Sequence, residues 1–310
     1  MNKSKVFLTT VLFILLSVFG YAQNNENNFN PEHVKTWESL LKDEKYSELF
    51  EYLQEWETKE SSNPELLIAY ANYYIYRNRF SGAHLVGKDY EVRGQSIQFS
   101  DIQTGEIAGY IVGSTHYDEE DIIKAVEYLD RGIKIAPNRL DIHFGKIHIL
   151  NEIENYKDAG QALRAVLEIS KKNNNEWFWI NNEKMENTEH HFLHVIQPYY
   201  GAWLKADTKE SLAQVKQCAE KQIELYPKHI YAYNNLAVSH YAQGQSQEAL
   251  RYFLQAEKIE PNDSRVLFNL AHLYREMNDP QKAKEYLTKI LAVGDEQEKE
   301  FARNVLDRLE

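Results

Sequence analysis

From about residue 33 to the C-terminus, hydrophobic positions recur with the spacing of amphipathic helices. In the stretch "DIIKAVEYLDRGIKIAP", for example, apolar side chains return every three or four residues and a proline closes the segment. This spacing places the apolar side chains on one face of a helix, and proline cannot continue that helix. Segments of this kind follow one another in twos, and the pattern predicts about six helix pairs. We therefore expect an all-α fold.

Two of these helix pairs have closely similar sequences. Residues 231–261 contain "NNLA" and "QEALRYFLQA", and residues 265–290 contain "FNLA" and "QKAKEYLTKI" at equivalent positions. Pro227 and Pro261, each of which follows an amphipathic segment, lie 34 residues apart. Because a lone helix pair leaves an apolar face uncovered, repeated pairs are expected to stack and share one core.

The period and the residue types resemble the tetratricopeptide repeat (TPR) family. Small residues recur where two helices must approach closely, and larger apolar residues fill the positions between them. The matching positions are Tyr233, Leu236, Ala237, Ala249, Phe253 and Pro261, then Leu267, Leu270, Ala271, Tyr274, Ala283 and Leu287. The chain looks like an exported, bacterial-type member of the family with insertions. The resemblance implies a helical-repeat solenoid with a concave groove, lined by the first helices, that binds a protein or peptide.

The predicted organisation is one helical-repeat domain over residues 33–310. Gly244 and Asn278 are expected in interhelical turns, because both residue types tolerate the left-handed backbone conformation. The best-defined parts of the domain are the repeats 230–263 and 264–295, followed by a polar-faced capping helix over 296–310.

Two insertions interrupt the helical pattern. In residues 81–117, the segments "SIQFSDI" and "EIAGYIV" flank "QTG", which predicts a β-hairpin. Residues 171–189 form a polar loop that contains Trp177, Phe178 and Trp179. These three aromatic residues either anchor the loop on the repeats or form an exposed, secondary contact for a partner or for sugar rings.

The N-terminal residues have the pattern of an export signal. A short basic segment precedes 15 apolar residues, 6–20, and Gly20 and Ala22 are small residues before a predicted cleavage site. An uncleaved membrane anchor is the alternative, but spanning a bilayer takes about 20 apolar residues. We predict a signal peptide over 1–22 and a flexible lead-in over 23–32. The mature protein would then be periplasmic or secreted, without stable membrane insertion.

The net charge and the number of cysteines show which partners and which stabilising bonds to expect. The formal net charge is −12, which disfavours a nucleic-acid partner because phosphate backbones require clustered Lys and Arg. Cys218 is the single cysteine, so no internal disulfide can form. It lies at helical spacing in "LAQVKQCAEKQIEL" and is predicted to be buried as a small apolar residue.

Two short stretches contain residue types that can perform chemistry. In "EHHFLH", His190 and His194 lie one helical turn apart, but the rest of a metal site is missing from the sequence. In "GSTHYDEED", Ser114, His116 and Asp118 are close in sequence, although Asp118 is better explained as a helix cap. The sequence contains no G-x-S-x-G, P-loop or dinucleotide motif. We therefore predict no catalytic residues, no metal and no cofactor.

The groove is predicted from the helical spacing of the two best repeats. Leu236, Ala237 and His240 are expected to face the second helix of their pair. The remaining stripes of the two first helices are expected to form one surface. This partner-binding groove comprises Tyr231, Asn234, Asn235, Val238 and Tyr241, together with Arg265, Phe268, Asn269, His272 and Arg275.

These side chains suit the recognition of a peptide. The amides of Asn235 and Asn269 can bond a peptide backbone, while the two arginines can pair with a carboxylate. The resemblance to family members that clamp the terminal carboxylate of a chaperone tail is partial. Asn234 and Val238 stand where those members carry Lys and Asn.

Two function classes remain open at this stage. The first is a non-enzymatic exported scaffold that binds a protein or peptide segment in the groove. The alternative is a hydrolase or glycan-binding protein whose site is built by the hairpin and the Trp-rich loop. The sequence leaves open the partner's identity, the biological process and the oligomeric state.

Overall fold

The computed structural model describes residues 30–89, 96–101, 104–185 and 189–308. The predicted signal peptide over 1–22 and most of the predicted lead-in lie outside the described residues. Within the lead-in, Asn30 accepts a hydrogen bond of 3.0 Å from the backbone N–H of Glu32 and thereby caps the first described helix.

The first three pairs of helices follow one another along the chain, as the apolar spacing predicted. Their bounds are α1 (Pro31–Lys42) and α2 (Tyr46–Glu60), α3 (Pro64–Arg77) and α4 (Glu119–Ile135), and α5 (Leu140–Glu152) and α6 (Tyr156–Lys172). The fourth pair is irregular, because its first helix is divided at Ile196, two residues before Pro198. It consists of α7 (Glu189–Val195), α8 (Gln197–Ala206) and α9 (Lys209–Leu225).

The fifth and sixth pairs correspond to the two similar stretches of sequence. They are α10 (Ile230–Ala242) with α11 (Ser246–Ile259), and α12 (Ser264–Glu276) with α13 (Pro280–Val293). A last helix, α14 (Glu296–Leu306), packs against α13. The predicted helical-repeat fold, with about six pairs and a final helix, is confirmed.

Short turns with one residue in the left-handed conformation connect the helices of several pairs. Gly244 and Asn278 have φ angles of 72° and 58°, as their residue types predicted. Glu44 and Glu154 occupy the same place in earlier pairs, with φ angles of 55° and 58°. The turn geometry is thus kept even where the sequence carries neither Gly nor Asn.

The second helix pair contains a small sheet in place of this short turn. Its strands are β1 (Phe80–Gly87), β2 (Ser96–Ser100) and β3 (Ile107–His116), in the order β1-β3-β2 with antiparallel pairing. The predicted hairpin is β2 with β3. The sequence pattern did not reveal β1, because "SGAHLVG" contains two glycines and lacks a regular alternation of apolar and polar residues.

The chain divides into two compact units, and the predicted domain 33–310 spans both. The first unit contains the described residues up to Ile149 together with Phe178–Glu183. Its core is aromatic, with Trp37, Trp56 and Tyr70 buried among leucines. The second unit contains Leu150–Trp177 and the described part of Lys184–Glu310.

Small residues occupy the helix contacts, as the repeat pattern predicted. The buried alanines include Ala71, Ala125, Ala159, Ala237, Ala249, Ala271 and Ala283. Cys218 is also fully buried, which confirms its predicted role as a small apolar residue. None of the described helices is long and apolar enough to cross a membrane.

The polar loop is shared between the two units. After α6 it forms β4 (Phe178–Trp179), a short 3-10 turn (Ile180–Asn182) and β5 (Glu183–Lys184). Trp177 packs in the second unit, where its indole N–H donates a 3.0 Å hydrogen bond to Ser170. Phe178 and Trp179 belong to the first unit, where Trp179 contacts the ring of Phe144 edge-on.

Candidate partner-binding face

The first helices of the fifth and sixth pairs, α10 and α12, bring the predicted groove residues together. We call this surface the α10/α12 face; it comprises the ten residues predicted to line the groove. Several direct contacts join the two helices across this face, and they decide which side chains are available to a partner.

Asn234 and Asn269 form the central contact. The Nδ2 atom of Asn269 donates a 2.8 Å hydrogen bond to Oδ1 of Asn234, and both side chains are half-buried. Because this bond uses one donor and one acceptor, the second N–H of Asn269 and the amide group of Asn234 retain hydrogen-bonding capacity. The pair therefore offers donors and an acceptor in fixed orientation.

Tyr241, His272 and Arg275 form a second contact further along the two helices. The Tyr241 hydroxyl lies 3.0 Å from Nε2 of His272, and a guanidinium nitrogen of Arg275 lies 3.1 Å from Nδ1 of the same ring. Arginine can only donate, so Nδ1 accepts and Nε2 carries the proton that is donated to the tyrosine. This arrangement holds an exposed cation and an aromatic ring side by side.

Tyr231 and Arg265 meet at the other end of the face. The guanidinium carbon of Arg265 lies 5.1 Å from the centre of the Tyr231 ring, within the range of a cation–π contact. Asp263 lies 3.6 Å from Arg265 and is its carboxylate partner. Tyr231 itself is buried, so it positions Arg265 and leaves little surface for a ligand.

Asn235 does not face the groove freely. Its Nδ2 atom donates a 2.9 Å hydrogen bond to Oε1 of Gln197 on α8, and the residue is buried. The helical spacing placed Asn235 next to Asn234, but it could not show that α8 covers it. The expectation that Asn235 and Asn269 together bond a peptide backbone is therefore corrected. Asn234, and not Asn235, is the residue that lies beside Asn269 on this face.

The remaining face residues are apolar. Phe268 packs edge-on against Phe301 of α14, with ring centres 5.0 Å apart. Val238 is half-buried on α10. His240 stacks on Tyr252 of α11, which confirms that it faces the second helix of its pair.

Sequence reasoning missed a group of histidines beside Tyr231. His229 Nε2 lies 3.3 Å from Nδ1 of His190, and His194 Nδ1 lies 3.4 Å from the Tyr231 hydroxyl. Burial, with His190 and Arg265 nearby, lowers the pKa of His229 to about 4. His190 and His194 were noticed only as neighbours on one helix, because no local pattern links them to His229.

A structural metal site in a protein usually needs three or four side-chain ligands. Among the described residues, no group of three or more His, Cys, Asp or Glu side chains is arranged to hold a metal ion. The side chain of His229 is neutral near pH 7, given the pKa just described. The three histidines thus help to hold Tyr231 in place at the end of the α10/α12 face.

The residues considered for a hydrolase or glycan-binding site have different structural roles. Ser114 Oγ lies 3.1 Å from Nε2 of His116, near the end of strand β3. Asp118 instead caps α4 by accepting a 3.0 Å hydrogen bond from the backbone N–H of Asp121. Trp177 is buried and has no face available to a sugar ring, whereas Phe178 and Trp179 are half-buried.

The paired helices make a helical-repeat fold like that of tetratricopeptide repeats. Residues 241–310 match the family model described as regulator of microtubule dynamics protein 1-3. No curated protein matches the chain.

Several solved structures are similar to this chain. MamA (residues 41 to the end) from Desulfovibrio magneticus RS-1 has 16% identity, over 55% of this chain and 84% of its own, with a TM-score of 0.35. TTC0263, a TPR protein of Thermus thermophilus, has 14% identity over 59% and 90%, with a TM-score of 0.38. PilW, a type IV pilus biogenesis factor, has 11% identity over 89% and 99%, with a TM-score of 0.39.

Proposed function

We propose that this protein is a non-enzymatic scaffold that binds an extended segment of a partner protein along the α10/α12 face. The observation that carries the proposal is the hydrogen bond between Asn234 and Asn269, which holds two amides in place across neighbouring helices. A peptide in extended conformation presents one N–H and one C=O at each residue, and a pair of oriented amides can bond both. Because these side chains are already ordered, binding costs less conformational entropy.

The face has three further groups for the side chains of such a segment. Arg275 and His272 form a polar, cationic end, which suits a carboxylate. Val238 and Phe268 supply apolar surface between the polar groups. Arg265, held over Tyr231 and 3.6 Å from the carboxylate of Asp263, supplies the second cation. A segment with an apolar residue between acidic ones is the chemistry that fits this order of groups.

Export is part of the same proposal. The pattern of residues 1–22 supports secretion to the periplasm or beyond, and the expected N-terminus of the mature protein is Gln23. Mass spectrometry of the protein from its host decides this point, since retention of Met1–Ala22 would contradict cleavage and indicate an anchored protein. The acidic composition, with a net charge of −12, favours a protein partner over nucleic acid.

The binding test uses a photo-crosslinking residue in the full chain. Placed at Asn269, it is expected to capture a partner from the host's exported fraction; placed at Gln247, on the exposed surface of α11, it is not. The captured protein is then purified, and its affinity for the wild-type chain is measured by calorimetry.

A matched pair of variants then decides whether the face is responsible. The double change Asn269→Ala and Arg275→Ala removes one amide and one cation from the face. We expect it to weaken binding about 10- to 100-fold, from the loss of about 0.7–1.4 kcal/mol for each of the two hydrogen-bonding groups. The double change Gln247→Ala and Lys258→Ala likewise removes one amide and one cation, but from the exposed surface of α11, and should leave affinity unchanged. Equal affinity of both variants would place the binding site elsewhere.

A further inference from the structure

Strand β2 is an edge strand that lacks two of the usual protections against pairing with another chain, namely charged residues and proline. All five of its residues are exposed, and in the described part of the chain its only strand partner is β3. Its sequence, "SIQFS", contains no charged residue and no proline. Edge strands in soluble proteins normally carry such residues, because unpaired backbone N–H and C=O groups invite a further strand.

The side chains next to this edge form an apolar row across the sheet. Leu85 of β1, Ile111 of β3 and Ile97 of β2 are direct cross-strand neighbours and therefore share one face. Leu85 and Ile97 are 70% and 66% exposed. The ring of Phe99, on the same face, lies over Gly109, where an added Cβ would be 2.8 Å from it. The row thus reaches the open edge of β2.

We infer that β2 pairs antiparallel with β2 of a second copy of this chain. The strand reads almost the same in both directions from Gln98, with an apolar residue on each side and then a serine. A two-fold axis through Gln98 places Ile97 of one copy opposite Phe99 of the other, on one face of the joined sheet. The apolar row then continues from one copy into the next.

Because the sequence of β2 is nearly symmetric, a second copy of this chain is the partner that best fits the free edge of β2. Pairing of β2 with β2 uses the same patch on both chains, so the assembly closes as a dimer. Pairing of β2 with β1 of another copy would leave free edges and continue as an open polymer. An uncharged strand also lets two copies approach although each chain carries a net charge of −12. This surface is separate from the α10/α12 face, so the two proposals stand independently.

Disulfide trapping tests the pairing in the full-length protein. Directly opposite residues of an antiparallel pair have Cα atoms about 4.5–5.5 Å apart, which is within the range of a disulfide. Gln98→Cys would meet itself across the axis, whereas Ile97→Cys would lie about 8 Å from its own copy. The native Cys218 is buried and does not contribute. We expect covalent dimer to form at least tenfold faster for Gln98→Cys than for Ile97→Cys.

A mixed experiment checks the register. Copies with Ile97→Cys and copies with Phe99→Cys should cross-link to each other faster than either does alone, since these positions face one another. Equal rates for all single variants, or no preference for the mixture, would overturn the proposed pairing and point to random collisions or to another kind of partner.

A second measurement avoids cysteine. Gln98→Lys and Gln98→Glu each place like charges opposite one another at the axis, which disfavours pairing. In sedimentation velocity, each variant alone should dimerise less than the wild-type chain, and an equimolar mixture should recover the dimer. If the wild-type chain is monomeric at concentrations where the mixture is also monomeric, β2 is not a homodimer contact.

Discussion

Arg139 donates a 2.6 Å hydrogen bond to Glu65, although the two residues are 74 positions apart in the sequence. Asp141 accepts two further hydrogen bonds from the same guanidinium group, of 2.9 and 2.7 Å. All three side chains are buried in the first unit. The backbone N–H of Asn181, in the segment Phe178–Glu183, lies 3.3 Å from the Glu65 carboxylate and donates to it. Glu65 of α3 thus accepts hydrogen bonds both from Arg139, which directly precedes α5, and from Asn181 of the polar loop.

Removal of this arginine should strongly destabilise the first unit. Arg139→Ala leaves the carboxylates of Glu65 and Asp141 buried without their cation, which costs about 3–5 kcal/mol for a broken buried ion pair. Urea unfolding followed by tryptophan fluorescence measures the loss. Arg131→Ala is the matched control, because Arg131 is 3.8 Å from Glu57 in an exposed pair and should cost less than about 1 kcal/mol. Similar losses for the two variants would contradict the role of the buried network.

The stability of the first unit should fall as the pH rises through neutrality. Burial, with a smaller effect of Glu65, raises the pKa of Glu38 to about 7, whereas in the unfolded chain its pKa is about 4.5. The folded protein therefore holds a proton that the unfolded chain has lost between these two values, and stability decreases with pH across that window. Glu38 is half-buried, so solvent screening reduces the full effect to about 1–2 kcal/mol.

Glu38→Gln isolates this effect. Near pH 4 the variant and the wild-type chain should have the same free energy of unfolding, because Glu38 is then protonated in both states. Near pH 8 the variant should be more stable by about 1–2 kcal/mol. A constant difference between the two proteins from pH 4 to 8 would show that Glu38 does not titrate in this window.

Two glycines in the second unit should respond oppositely to the same substitution. A Cβ at Gly160, within α6, would lie 2.9 Å from Cβ of Gln214, a buried residue that accepts a hydrogen bond from Arg164. Gly160→Ala should therefore destabilise the unit by about 1–3 kcal/mol through overpacking. At Gly201, within α8, nothing lies within 4 Å of an added Cβ. Gly201→Ala should be neutral or stabilise by up to about 1 kcal/mol. Thermal unfolding compares the two.

Cys218 should be unreactive until the second unit opens. It is fully buried, and burial raises the pKa of its thiol to about 12. Only the thiolate reacts at a useful rate. Iodoacetamide at pH 8 should therefore leave the native chain unmodified over hours and label it fully in 6 M guanidinium, as mass spectrometry will show. Rapid labelling of the native chain would contradict the burial of this residue.

The helices of the α10/α12 face could be predicted, but the state of their side chains could not. Helical spacing placed Asn234, Asn269 and His272 on one face, and the structure finds them joined across it. The same spacing assigned Asn235 to the face, where Gln197 in fact occupies its amide. Gln197 lies 38 positions away, and no local pattern reports a partner at that distance.

Sequence alone determined the helices, their pairing and the 34-residue period, because these depend on the spacing of apolar and small residues within one or two turns. Tertiary structure decided that β1 joins the predicted hairpin and that Trp177 and Phe178, although adjacent, pack in different units. It also assembled Arg139 with Glu65, and His229 with His190. Such contacts join residues far apart in the chain, and burial and hydrogen bonding select them only after the helices have packed.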